Sequence, residues 1–170
     1  MKKINLLIII IMIAVTTGAV AQESATASSS ATIIAPIGIA QAADMNFGTV
    51  ATNSTGGTVV LDTDGSTSLT GGVTLPANTG TVTAAAFNVT GEADYTYTIA
   101  LPSSPITLSD VVTASNQMTV GTFVSDPLTT GTLTGGAQTV NVGATLNVEG
   151  GQAAGVYTNT TDLTVTVNYN

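Results

Sequence analysis

The feature that most constrains this chain is a period-two alternation, clearest in its last residues. Along 163–170, Leu163, Val165, Val167 and Tyr169 fall on one side, and Thr164, Thr166, Asn168 and Asn170 on the other. Successive side chains of an extended strand point to opposite faces, whereas a helix repeats its apolar positions three and four apart. The chain therefore ends on a β-strand with one buried and one wet face. The remainder is rich in Thr, Val, Ala and Gly. The first two suit half-buried pleated surfaces, and no amphipathic helical pattern follows residue 21.

The same alternation, cut by turn residues, recurs upstream. Thr58–Leu61 reads as a strand, Asp62-Thr-Asp-Gly-Ser66 as a turn, and Ser68–Leu75 as the returning strand, with a bulge or bend expected at Gly71-Gly72. Asp-Gly favours tight turns because Gly tolerates positive φ and Asp bonds its own backbone. Ala85, Phe87 and Val89 share one face of the next strand, and Tyr95, Tyr97, Ile99 and Leu101 that of its partner. Ile106–Leu108 reads as an edge strand, Met118–Val124 as a strand bulged near Gly121, and residues 139–148 as two strands bent at Gly143. Nearer the start, Ala31, Ile33, Ala35, Ile37 and Ile39 alternate in a first strand over 31–39, with Pro36 marking an edge or a bulge. Nine or ten short strands, unevenly spaced, predict a two-sheet sandwich, with a closed barrel as the alternative.

Residues 1–21 read as a secretory signal peptide. Lys2 and Lys3 precede an apolar run from Leu6 to Val15, and Ala19-Val20-Ala21 supplies a small-residue cleavage site before Gln22. The run is short for a membrane span, and no later run is long enough to be one. This predicts an exported chain, in the periplasm, on the cell surface or outside the cell, with no integral membrane segment after cleavage. Residues 22–30 read as a flexible leader and 31–170 as one domain of ordinary size.

Charge narrows the functions. The chain has ten acidic side chains, two basic ones (Lys2 and Lys3) and no His. A chain without cations beyond its signal has nothing to neutralise phosphates, so nucleic acid is excluded as a partner. The absence of Cys removes disulfides and thiolate chemistry. Without His, Cys, Lys or Arg after Ala21, nucleophile–base triads, Schiff bases and ordinary zinc sites are unavailable too. Only paired carboxylates remain for catalysis, Asp62 with Asp64 and Glu92 with Asp94, and residues two apart in turns usually face water. No catalytic residue and no cofactor are assigned. Calcium is the one metal whose oxygen preference fits, and Asp62 and Asp64 are its candidate ligands. Position twelve of that loop is Val73 rather than an acid, so a plain hairpin turn competes with the metal reading.

Taken together, Ile34-Ala-Pro-Ile37, Met45-Asn-Phe-Gly48, Ala86-Phe-Asn-Val-Thr-Gly91, the Tyr97–Pro102 run, Val142-Gly-Ala-Thr-Leu146, Gly155-Val-Tyr157 and Val165-Thr-Val-Asn-Tyr169 resemble the bacterial domain-of-unknown-function family 4402 (DUF4402). The resemblance implies an exported, immunoglobulin-like β-sandwich of the surface or fimbrial kind, with no catalytic residues to carry over. A looser similarity is to chaperone–usher pilins, whose last strand carries a penultimate Tyr, as Tyr169 is here, and whose N-terminal extension completes a neighbouring subunit. Gly155 lies too far from the terminus for that pattern, and the cysteine pair is absent. The expected function is a non-catalytic structural or adhesive surface subunit, acting on copies of itself or other surface subunits by β-strand-mediated assembly or surface interaction. The alternative is a self-contained secreted domain that binds calcium or glycan.

Overall fold

The computed structural model describes residues 21–161 and 163–170. The signal peptide read in residues 1–21 lies, apart from Ala21, outside them. The chain divides at Ile33/Ile34. Of the first unit, residues 21–33 form no helix or strand and their side chains are exposed. The second unit, Ile34–Asn170, holds every strand.

Eleven strands follow one another with no α-helix among the described residues: β1 (Gly38–Ala43), β2 (Ala51–Leu61), β3 (Thr67–Thr74), β4 (Ala85–Thr90), β5 (Thr96–Ala100), β6 (Ile106–Asp110), β7 (Gln117–Asp126), β8 (Thr130–Thr132), β9 (Ala137–Val148), β10 (Tyr157–Thr158) and β11 (Thr166–Tyr169). They form two sheets, as the alternation predicts. The larger runs β1-β4-β9-β7-β6-β10 and carries the β2–β3 hairpin on β9; the smaller is β11-β5-β8. Every pairing is antiparallel.

The longest strand, β9, organises the rest. Its first half pairs with β4, from Ala137 opposite Thr90 to Val142 opposite Ala85. Its second half pairs with β2, from Ala144 opposite Leu61 to Val148 opposite Gly57. Between them stands Gly143, where a Cβ would lie 2.4 Å from the Leu61 carbonyl oxygen. No side chain fits where two strands change places along one edge. Its other edge pairs with β7 from Asn141 to Asn147, and the register shifts between Gly121 and Val124, across Thr122 with its φ of 49°. The bend expected at Gly143 and the bulge expected near Gly121 thus face each other in one ladder, and β9 stays a single strand.

Each half of β9 serves its own core. Val140 and Val142 meet Ala85 and Val89 of β4, Tyr97 and Ile99 of β5, Leu133, and Val165 and Val167 at the C-terminal end. Ala144, Leu146 and Val148 meet Val59 and Leu61 of β2, Val73 of β3, Val120 of β7, and Phe47. Met45 and Phe123 touch both clusters.

The structure corrects the expectation for the first strand. The first strand begins at Gly38 rather than Ala31, because Pro36 has no N–H to give a ladder. The expected inward row fails with it: Ile33 is 96 % exposed and Ile39 37 %. The interruption expected at Gly71-Gly72 is present: pairing jumps from Gly57 opposite Gly71 to Thr52 opposite Val73, with Gly71 at φ 68° and the extra residues carried by β2. The two-residue β10 pairs with β6 only at Ser109 and Asp110, while Ile106–Leu108 pair with β7 alone, in keeping with the edge expected there.

Candidate functional site

The two aspartates proposed as calcium ligands sit in the β2–β3 turn, both exposed. Asp62 Oδ1 accepts the Thr63 N–H at 2.7 Å, and Asp64 Oδ1 accepts the Ser66 N–H at 2.8 Å. The main chain closes the turn, with Asp62 N–H donating to Ser66 O at 2.8 Å and Gly65 at φ 83°. The Ser66 hydroxyl and amide hold the Asp64 carboxyl below its ordinary range. Each carboxylate therefore serves an amide of its own turn. No cluster of three metal-ligating acids exists among the described residues. Two surface depressions, of about 410 and 330 Å³, hold one carboxylate each, Glu149 in the first and Asp64 in the second.

The other close pair is separated by use. Asp94 holds a turn at φ 65°, while the Glu92 carboxylate accepts the Ala35 N–H at 2.9 Å. Glu92 thus belongs to a different constellation, centred on the last strand.

That strand, β11, pairs on one side with β5, from Thr166 opposite Ala100 to Tyr169 opposite Tyr97. On its other side no strand pairs with it among the described residues. Antiparallel ladders alternate the direction of their main-chain groups. Ile99 N–H donates to Thr129 O at 2.8 Å, on the β8 side, and Asn170 N–H donates to Thr96 O at 3.2 Å, on the β11 side. Thr166, Asn168 and Asn170 therefore spend their main-chain groups on β5, and Val165, Val167 and Tyr169 turn theirs outward. The exposed side chains Thr166 and Asn168 are uncharged. Proteins commonly guard such an edge with Lys, Pro or a bulge, and β11 has none of these.

The inner face of β11 is as predicted, with Val165 and Val167 each 8 % exposed and Leu163 and Tyr169 packed against the same core. Tyr169 reaches further than its apolar role requires. Its hydroxyl accepts the Glu92 N–H at 2.6 Å and donates to the Ala35 carbonyl at 2.9 Å. Its ring meets that of Tyr95 edge-on, centroids 5.8 Å apart at 67°. Tyr95 itself is 43 % exposed, contrary to the inward position expected of it, because it lies in the turn before β5 and not in the strand. Gly91 makes room for the hydroxyl: a Cβ there would stand 2.2 Å from it.

Two further polar groups escaped sequence reasoning. Tyr97 is wholly buried, and its hydroxyl donates to Gln138 Oε1 at 2.8 Å, which also accepts the Thr132 N–H at 2.8 Å. One amide oxygen thus joins β5, β8 and β9 across the two sheets, and burial raises the Tyr97 pKa. Asp110, 6 % exposed, accepts the Val112 and Thr113 amides at 3.3 and 3.2 Å, against Gly155, where a Cβ would meet the carboxyl carbon at 2.8 Å. Its signal was an Asp ahead of two amides it could reach, which any Asx turn shares.

Residues 37–169 match the family model described as Domain of unknown function (DUF4402). No curated protein and no solved structure matches the chain. The match spans most of the sequence, so the chain belongs to the DUF4402 family.

Proposed function

We propose that this member of the DUF4402 family is an exported structural or adhesive subunit of the cell surface that joins its partners by β-strand addition and performs no catalysis. The observation that carries the reading is the outer edge of β11, where outward main-chain groups lie beside uncharged side chains. Main-chain hydrogen bonds to an added strand give affinity, and pockets for alternate side chains give register. Residues 22–33 supply the complementary object: an exposed, uncharged run after Glu23 with Ile33 at its end. Export rests on the signal pattern in residues 1–21, and the lack of catalysis on the missing His, Cys, Lys and Arg beyond it.

Assembly is read by light scattering across a concentration series, with and without residues 22–32. Concentration-dependent oligomers that the deletion abolishes are expected. A chain that stays monomeric throughout overturns the reading. Export is read from the mass of the secreted product, which should begin at Gln22. Trypsin, needing Lys or Arg, should leave that product whole even when it is denatured.

The second reading, a calcium-dependent binding domain, requires Asp62 and Asp64 to share their oxygens between a cation and the amides of the turn. Calorimetry separates it from the first. Saturable calcium heat, lost in Asp62→Ala with Asp64→Ala, would support it, and absence of heat would remove it.

A further inference from the structure

Ala35 belongs to no strand, yet both of its main-chain groups are held by side chains. Its N–H donates to Glu92 Oε2 at 2.9 Å, the Glu92 N–H donates to the Tyr169 hydroxyl at 2.6 Å, and that hydroxyl donates to the Ala35 carbonyl at 2.9 Å. The three bonds form a closed ring in which every residue gives one proton and accepts another. The Tyr169 hydroxyl both accepts and donates, so its two bonds polarise each other, and the three bonds together fix Ala35, Glu92 and Tyr169 against one another. Around the ring, Ile37 packs against the first core and Ile34 is half-buried. Strand pairing takes over only at Gly38, opposite Thr90.

We propose that residues 34–37 are a strap across the end of the last strand, and that the Ala35–Glu92–Tyr169 ring makes strap and strand open together. β1 passes near β11 without pairing with it, and Ile37 shares the first core with Val165 and Val167; the ring adds the hydrogen bonds between strap and strand. It draws one member from each end of the folded unit and one from the β4–β5 turn, so loosening one chain end loosens the other. Access to the free edge of β11 is then governed by how the N-terminal segment is held. The coupling stands whether or not the chain assembles.

Amide hydrogen exchange on the full chain, followed residue by residue, tests it. Glu92→Ala leaves the side chains and main chain of β11 untouched. It is expected to speed exchange roughly tenfold at Ala35 and also at Thr166, Asn168 and Asn170, whose amides face β5, while the β2–β3 amides keep their rates. Tyr169→Phe, which keeps the ring packing, should do the same to residues 34–37. Glu92→Gln keeps an oxygen acceptor in place and should stay close to the wild-type pattern. Acceleration confined to Ala35 in Glu92→Ala overturns the proposal. So does a uniform acceleration that includes β2–β3, or a Glu92→Gln pattern as loose as that of Glu92→Ala.

Discussion

The two halves of β9 bury similar side chains in differently built surroundings. Ala144, Leu146 and Val148 are covered by the β2–β3 hairpin, by Val120 and Met118 of β7, by Ile106 and Leu108 of β6 and by Phe47, and the strands among these all belong to the larger sheet. Val140 and Val142 are covered by β4, β5 and the C-terminal residues, drawn from distant parts of the chain and from both sheets. Both halves therefore depend on pairing between residues far apart in sequence; the second is lined by strands of the larger sheet alone, and the first needs the smaller sheet in place as well. The first core is thus the one whose cover loosens when a contact between the two sheets is lost. The polar devices follow the same division. The hairpin satisfies its turn with Asp62 and Asp64 alone, whereas the first core uses Gln138 and Tyr169 to tie segments far apart in sequence.

The substitution that strikes both halves should do most damage. Gly143→Val puts atoms into the Leu61 carbonyl and is expected to cost about 3 kcal/mol, read from urea unfolding. Next come Leu61→Ala and Leu133→Ala, one in each core and both fully buried in the native chain. Each should cost about 3 kcal/mol by the same measurement. They separate the halves by hydrogen exchange: Leu133→Ala should loosen β11, and Leu61→Ala should leave it alone. Equal loosening of β11 by both would mean that the two cores behave as one.

Tyr97→Phe should cost less, about 1 kcal/mol, since Gln138 Oε1 keeps the Thr132 amide. It also carries a pH signature. Burial raises the folded pKa above the ordinary 10.0, so the fold favours the neutral phenol. That contribution is complete below the ordinary value and is lost as pH rises through the folded one. Melting temperatures taken into the alkaline range should fall less steeply in Tyr97→Phe than in the wild type.

The smallest effect belongs to the hairpin. Ser66 lowers the Asp64 pKa from 3.8, so its contribution is present above that value and fades as pH falls through the folded one. The group is fully exposed and screened. Asp64→Asn should leave the melting temperature at neutral pH nearly unchanged and flatten its acid limb slightly. A large loss at neutral pH would show that the turn matters to more than its own hairpin.

Much of this architecture is legible in the sequence because the buried face of a strand writes itself as every second residue. Val165 and Val167, Tyr97 and Ile99, and Ala85 and Val89 all lie inside as their spacing implies. The rule failed where no ladder enforces it. Residues 31–37 alternate on paper, but Pro36 breaks pairing and Ile33 is left in solvent. Acidic pairs were equally ambiguous, because spacing alone does not say which amide a carboxylate will meet. Glu92 and Asp94 look alike in sequence and do different things in the fold.

The sequence by itself determined the fold class, the inward face of the last strand and the absence of cationic chemistry beyond the first residues, since periodicity and inventory are local properties. Only the tertiary structure decided that no described strand pairs with the outer side of β11, that Gly143 is the place where β4 gives way to β2, and that Tyr169 holds Ala35 from 134 residues away. Strand order and side-chain partners depend on which segments meet after the chain has closed its loops, and an alternating pattern records a face but never the neighbour.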